Sequence, residues 1–130
     1  MPVADTSFIV DLIRHDPQAL AKLEEMESQG KALSVTPVIA LELFEGAYRS
    51  FRIEENVKEI LAMLSFCDEI AFDMDIYHAF GYLSATLRPH GSPIGDFDQA
   101  IAAAALCSDS EIITRDRHFE KIPELKVIGY

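Results

Sequence analysis

Apolar strand-like runs that alternate with helical patterns predict an α/β fold, a parallel sheet covered by helices on both faces. Two further observations support that prediction. Start signals of the Asp-Pro and Thr-Pro type recur just before helical periodicity, at Asp16-Pro17 and Thr36-Pro37. Acidic residues also fall at the carboxyl ends of the apolar runs, where ligands bind in open parallel sheets.

Pro2 to Ala4 is the first strand-like run. Phe8, Ile9, Leu12 and Ile13 then recur at helical spacing within Thr6 to Arg14. A second helix starts at Asp16-Pro17 and stops near Gly30, and Ala32 to Val35 is the second strand. Thr36-Pro37 opens a helix that runs to about Arg49, and another runs from Ile53 to about Phe66. The third strand is Glu69 to Phe72, followed by a helix whose apolar face carries Ile76, Phe80, Leu83 and Leu87. Pro89, Gly91, Pro93 and Gly95 make Arg88 to Gly95 the strong loop of the chain, without a domain boundary. A small-residue helix from Phe97 to Leu106 follows, then strand Glu111 to Thr114, a turn around Phe119, and strand Lys126 to Ile128.

The length of 130 residues suits one domain over 1–130, which buries roughly two thirds of the surface of the unfolded chain. With 49% hydrophobic and 25% charged residues, the composition is that of a soluble globular protein, not a disordered one. No apolar run approaches the ~18 residues of a membrane span. The N-terminus has no basic region leading into an apolar core, so a cytoplasmic protein without membrane contact is expected. Cys67 and Cys107 form no metal or redox motif and read as buried free thiols. His15, His78, His90 and His118 show no ligand spacing and read as surface or loop residues. A net charge of −11 argues against a general nucleic-acid coat. It leaves room for a nuclease with a local basic rim and a bound cation, and it suits a basic protein partner.

Asp5, Glu42, Asp98 and Asp116 are the candidate functional residues. Asp5 follows the first strand and Asp116 the fourth, which brings both to the carboxyl edge of the sheet; each also has a capping role as its competing reading. Glu42 is the one charged residue in Val38 to Phe44, a costly carboxylate to bury without a partner or an ion. Gly46 lies one turn further on the same face, where the missing side chain leaves room for a ligand. Asp96 with Gln99 fits a capping pattern, so Asp96 is read as a cap, with a place around a metal as the alternative. Asp98 then sits in the first helical turn, free of capping work. Two carboxylates about 4 Å apart repel by about 4 kcal/mol at an effective dielectric near 20, so four in one pocket call for a cation. Oxygen ligands alone indicate Mg²⁺ or Mn²⁺ in preference to Zn²⁺.

Asp5-Thr6-Ser7, Thr36 with Glu42-Leu43 and Gly46, Ile94-Gly95 with Asp98 and Ile101-Ala102-Ala103, and Thr114-Arg115-Asp116 with Phe119 stand in that order over nearly the whole chain. In this the sequence resembles the PIN-domain nucleases, and within them the VapC-like toxins of prokaryotic toxin–antitoxin pairs. The resemblance implies a three-layer α/β/α sandwich around a central parallel five-stranded sheet. It also implies Mg²⁺- or Mn²⁺-dependent endoribonuclease activity on RNA, a homodimer, and inhibition by a small cognate VapB-like antitoxin. Asp5, Glu42, Asp98 and Asp116 correspond to the family's acidic quartet, with Asp116 the least essential. Asp96 matches an extra acid of some members, and Thr6, Ser7 and Thr114 match polar positions that orient carboxylates or water. The expected reaction is in-line attack of a metal-activated water on an RNA phosphate, with Asp5 and Asp98 as principal ligands and Glu42 at the metal, its water or the proton.

Arg115, Arg117 and Lys121 are candidates to contact the scissile strand, with solvated surface charge as the competing reading. Phe44, Tyr48 and Phe51 form an aromatic stripe beside Arg49 and Arg52, read first as core and alternatively as a groove for the antitoxin. The alternative function is a noncatalytic interaction protein on the same fold. A response receiver or an aspartate-nucleophile phosphatase fits less well. A lone Asp5 replaces the receiver's acidic pair, and Ser7 stands where the phosphatase needs its second aspartate.

Overall fold

The first apolar run is the centre of the sheet. In the computed structural model, which describes residues 1–89, 91 and 94–130, the elements follow the expected order. Strand β1 (Val3–Ala4) leads to helices α1 (Thr6–Ile13) and α2 (Pro17–Ser28), then to β2 (Ser34–Val35), α3 (Pro37–Tyr48) and α4 (Ile53–Leu64). Strand β3 (Asp68–Glu69), α5 (Met74–Leu87), α6 (Asp96–Leu106), β4 (Glu111–Ile113), a 3₁₀ turn (Arg117–Lys121) and β5 (Lys126–Ile128) complete the chain. His90 and Pro93 of the expected loop lie outside the described residues.

Among the described residues the five strands pair in parallel in the order β3-β2-β1-β4-β5. The chain therefore steps from β1 outward to β3, then returns to the other side of β1. Between β1 and β4 the strand order reverses, and in open parallel sheets that reversal leaves a crevice at the carboxyl edge. Successive strand residues point to opposite faces, yet Val3 and Ala4, like Ile112 and Ile113, have no exposed surface. Both faces of the sheet are thus covered, which is the expected three-layer α/β/α arrangement.

The start signals work as the sequence predicts. Asp16 accepts from the Ala19 N–H at 3.0 Å and Thr36 from the Ile39 N–H at 3.3 Å, each with Pro in the first helical turn. Gly30, at φ +71°, takes the left-handed conformation that ends the α2 segment. Other expectations shift. The third strand is Asp68–Glu69 and not Glu69 to Phe72, because its partner β2 turns into α3 after Val35, whose carbonyl takes the Ile70 N–H at 2.8 Å where the pairing ends. Asp73, just beyond, caps α5 through the Ile76 N–H at 3.1 Å. Cys67 is half-buried, with its thiol pushed up to about 11 chiefly by burial. Cys107, expected to be buried, is exposed, because it ends α6 just past the covered stretch of that helix.

That stretch, Ile101 to Ala105, has no exposed surface and packs on β1, β4, α3 and α5. Alanines allow α6 to approach the sheet closely, and the approach sets where its first turn stands over the carboxyl edge. Ala103→Leu should therefore destabilise the protein by about 1–3 kcal/mol through overpacking, measured as a lower midpoint in urea unfolding.

Candidate active site

Register builds the site. Ala4 pairs with Ile113, and the Asp5 N–H continues the ladder by donating to the Ile113 carbonyl at 3.0 Å. This sets Asp5 beside Thr114, the first residue beyond β4. Asp5 occupies the cap position of α1, but its side chain makes no capping bond. Its carboxylate turns instead to Thr114, whose Oγ1 donates to Oδ2 at 2.7 Å, with Ser7 Oγ at 3.5 Å from the same oxygen. The competing capping role of Asp5 is thereby excluded.

The Thr114 hydroxyl also accepts the Asp116 N–H at 2.9 Å. One side chain thus ties the acid after β1 to the acid after β4. Its single proton goes to Asp5, and Ser7 Oγ, 3.3 Å from the Thr114 hydroxyl, has its one proton to share between that hydroxyl and the same Asp5 oxygen. Asp116 does cap its 3₁₀ turn, accepting from the His118 N–H at 2.9 Å, and the same Oδ1 lies 2.9 Å from His118 Nδ1.

Glu42 reaches the edge from α3 and is held by Thr6, whose hydroxyl donates to Oε1 at 3.0 Å. Asp98 stands half-buried in the first turn of α6, as expected. The cap of that helix is Gly95, not Asp96. The helix begins one residue earlier than the capping pattern suggests, so Asp96 is its exposed first residue and makes no capping bond. Gln99, the other half of that pattern, is buried and donates to the Phe80 carbonyl at 3.1 Å, which locks α6 to α5.

The four acids feel one another. Burial raises the pKa of Asp5, Glu42 and Asp98, and neighbouring carboxylates raise each further: Asp116 acts on Asp5, Asp5 and Asp98 on Glu42, and Asp5 and Asp116 on Asp98. Among the described residues no Lys or Arg pairs with any of the four. The tightest group is Asp98, Asp116 and His118, one ligand atom from each lying within 4.8 Å of the others. His118 was invisible as a partner in the sequence, because its contact with Asp98 spans twenty residues and no local spacing marks it. Oxygen donors in excess, mutually repelling and, among the described residues, without a Lys or Arg to neutralise them, are a donor set that fits a hard divalent cation.

Beside Glu42 opens a cavity of about 360 Å³ between α1, α3 and α4, lined by Thr6, Val10, Leu43, Gly46 and Ile60 among others. A Cβ built on Gly46 would meet nothing within 4 Å, which agrees with the expected space there. The aromatic stripe is not core. Tyr48 and Phe51 are exposed and only Phe44 is partly buried, because the buried face of α3 is carried by Val38, Ile39, Leu43 and Ala47.

Fold and site define a class: an α/β protein with a carboxylate centre where the strand order of its sheet reverses. The chain belongs to the PIN-domain family, whose profile matches residues 3–125. It is similar to the ribonuclease VapC19 of Mycobacterium tuberculosis, 28% identical over 130 residues that cover 97% of this chain and 98% of that one. It is also similar to the tRNA(fMet)-specific endonuclease VapC of Shigella flexneri, 30% identical over 94% of this chain and 92% of that one. The structure of VapBC-1 from nontypeable Haemophilus influenzae superposes with a TM-score of 0.85 and 27% identity, covering 98% of this chain and 96% of that one.

Thr114→Val removes the donor to a buried carboxylate and should cost about 1.5–3 kcal/mol at neutral pH. In urea unfolding the cost should shrink as the pH falls and Asp5 takes up its own proton.

Proposed function

We propose that this protein is a divalent-metal-dependent endoribonuclease acting as the toxin of a toxin–antitoxin pair, with residues 1–130 as one functional unit. The observation that carries the reading is the convergence of Asp5, Glu42, Asp98 and Asp116 from four separate segments with no Lys or Arg, among the described residues, to neutralise them. The VapC ribonucleases among its relatives support the choice of RNA as substrate.

Asp5, Asp98 and Asp116 would hold Mg²⁺, or Mn²⁺ in its place, with Glu42 beside them and Asp96 as an outer, exposed acid. A bound divalent ion supplies activation of water and neutralisation of charge at the phosphodiester. Thr114 and Ser7 fix the orientation of the Asp5 carboxylate. Glu42, with its pKa raised by burial and steadied by Thr6, is placed at the open side of the cluster and is the residue suited to accept a proton from water. The helix dipole at the start of α6 favours the anionic form of Asp98, which burial and its neighbours oppose.

The same reading makes the chain a cytoplasmic homodimer held inactive by a VapB-like antitoxin. Among the described residues no helix is long and apolar enough to cross a membrane. The exposed Tyr48 and Phe51, at and just beyond the end of α3, are the surface we assign to the antitoxin.

Purified protein should cut labelled total cellular RNA into discrete products with Mg²⁺ or Mn²⁺ and not with EDTA, and Asp98→Asn should abolish the products. The same substitution should raise the Tm measured in EDTA, because it removes one of the mutually repelling charges. Cleavage that persists in EDTA or in Asp98→Asn would refute the metal assignment. No cleavage by folded, antitoxin-free protein would favour a noncatalytic interaction role. Tyr48→Asp should weaken antitoxin binding in a titration without changing the oligomeric state.

A further inference from the structure

Asp11 is a buried carboxylate that the acidic cluster does not use. It lies on α1 roughly 9 Å along the helix axis from Asp5, and it is 5% exposed. A buried charge persists where it is paired and hydrogen-bonded, and one of its oxygens meets both requirements. Oδ2 accepts the Tyr130 hydroxyl at 2.6 Å and forms an ion pair with Arg115, whose Nε lies 3.0 Å away. The Tyr130 ring rests edge-on against the buried Phe8 at a centroid distance of 4.9 Å, so the hydroxyl is anchored to the core. Burial, followed by the bond to Asp11, raises the Tyr130 pKa and keeps it a donor.

Arg115 stands between Thr114 and Asp116, the two residues that close the cluster on the β4 side, and its N–H points to Ser7 Oγ at 3.4 Å. Its side chain remains 58% exposed although Nε is bound. The terminal nitrogens have no acceptor among the described residues. The charges that act on Asp5 and Asp98 are other carboxylates and His118, not Arg115. The guanidinium is thus paired with Asp11 and not with the carboxylates of the cluster, and most of its surface is open to solvent. Arg117 and Lys121 are exposed on the turn that follows, and among the described residues neither forms an ion pair.

We infer that Arg115 binds a backbone phosphate of the RNA next to the scissile one, and that Asp11 and Tyr130 are positioning residues that hold its guanidinium ready. The inference rests on the nuclease reading above. A planar guanidinium tethered through Nε still offers two terminal nitrogens for a bidentate contact with phosphate oxygens. In a protein of net charge −11, which repels RNA at long range, a fixed cation at the border of the site offsets that repulsion where the strand must lie.

Binding of fluorescein-labelled bulk tRNA to Asp98→Asn protein, followed by anisotropy across a KCl series in Mg²⁺, reads this without cleavage. Arg115→Gln should weaken binding about tenfold and lower the salt slope by about 0.7–1. Arg115→Lys should keep the slope and recover part of the affinity. Tyr130→Phe, checked for an intact fold by its Tm, should lose a smaller part of the affinity and cost nothing further once Arg115 is Gln. Unchanged affinity and slope in Arg115→Gln would overturn the inference while leaving the nuclease reading intact. So would a Tyr130→Phe loss of equal size with and without Arg115, since Tyr130 would then act by another route. Failure of the parent to bind tRNA, together with failure of the wild type to cleave RNA, would overturn both.

Discussion

The pairing of β1 with β4 is the constraint on which the site depends. These strands are two and three residues long, so little more than the register Val3 with Ile112 and Ala4 with Ile113 specifies it. A slip by one residue would turn every side chain to the opposite face of the sheet and carry Asp5 away from Thr114. Full burial of both faces opposes that slip, because the pair Val3 and Ile112 is enclosed by one layer of helices and the pair Ala4 and Ile113 by the other. The apolar core thereby fixes a polar contact at its edge, the 2.7 Å bond from Thr114 to Asp5, with the accuracy of the sheet itself.

What the core fixes, the charges oppose. Burial and mutual repulsion both raise the pKa of three of the acids, so the arrangement stands at a cost that packing elsewhere must offset. The hydroxyls of Thr114, Ser7 and Thr6 reduce that cost without cancelling charge, since a hydroxyl donates a proton and adds no positive charge. A lysine or arginine in their place would neutralise the cluster and remove its attraction for a cation. Hydroxyl partners are the solution that keeps the acids oriented and still anionic.

The sequence made the architecture legible because the helix-start signals are local in their chemistry: Asp16 and Thr36 each accept the N–H three residues on, and the proline after each fits the first helical turn. Asp5 and Asp116 stand out for a related reason, since carboxylates that follow parallel strands emerge at one edge of the sheet, whereas Glu42 stands out as the lone charge of an apolar helical stretch and Asp98 by its place in a first helical turn. The failures share a different cause. Asp96 looked like a cap because Gln99 followed it, yet Gln99 spends its amide on Phe80 in another helix, a contact that only packing creates. The aromatic stripe looked like core because helical spacing cannot say which of two apolar faces turns inward. Asp11, Arg115 and Tyr130 came together across more than a hundred residues, and His118 met Asp98 across the β4 crossover.

The two flanks of the site are built differently. On the β4 side, Thr114, Arg115 and Asp116 are each bound to α1 or to one another, and Tyr130 closes the tie against Phe8. On the α3 side, Glu42 has one hydroxyl partner and faces a cavity of about 360 Å³ beside a glycine that nothing crowds. A reaction that needs carboxylates held in one geometry is best served by the tied flank, where hydrogen bonds leave few rotamers to populate. Admission of a polymer strand, or of an inhibitory peptide, needs space that can be filled in more than one way, and the open flank has it. The division follows from topology: β1, α1 and β4 are bound in register, whereas α3 meets the edge only through the reach of a single glutamate.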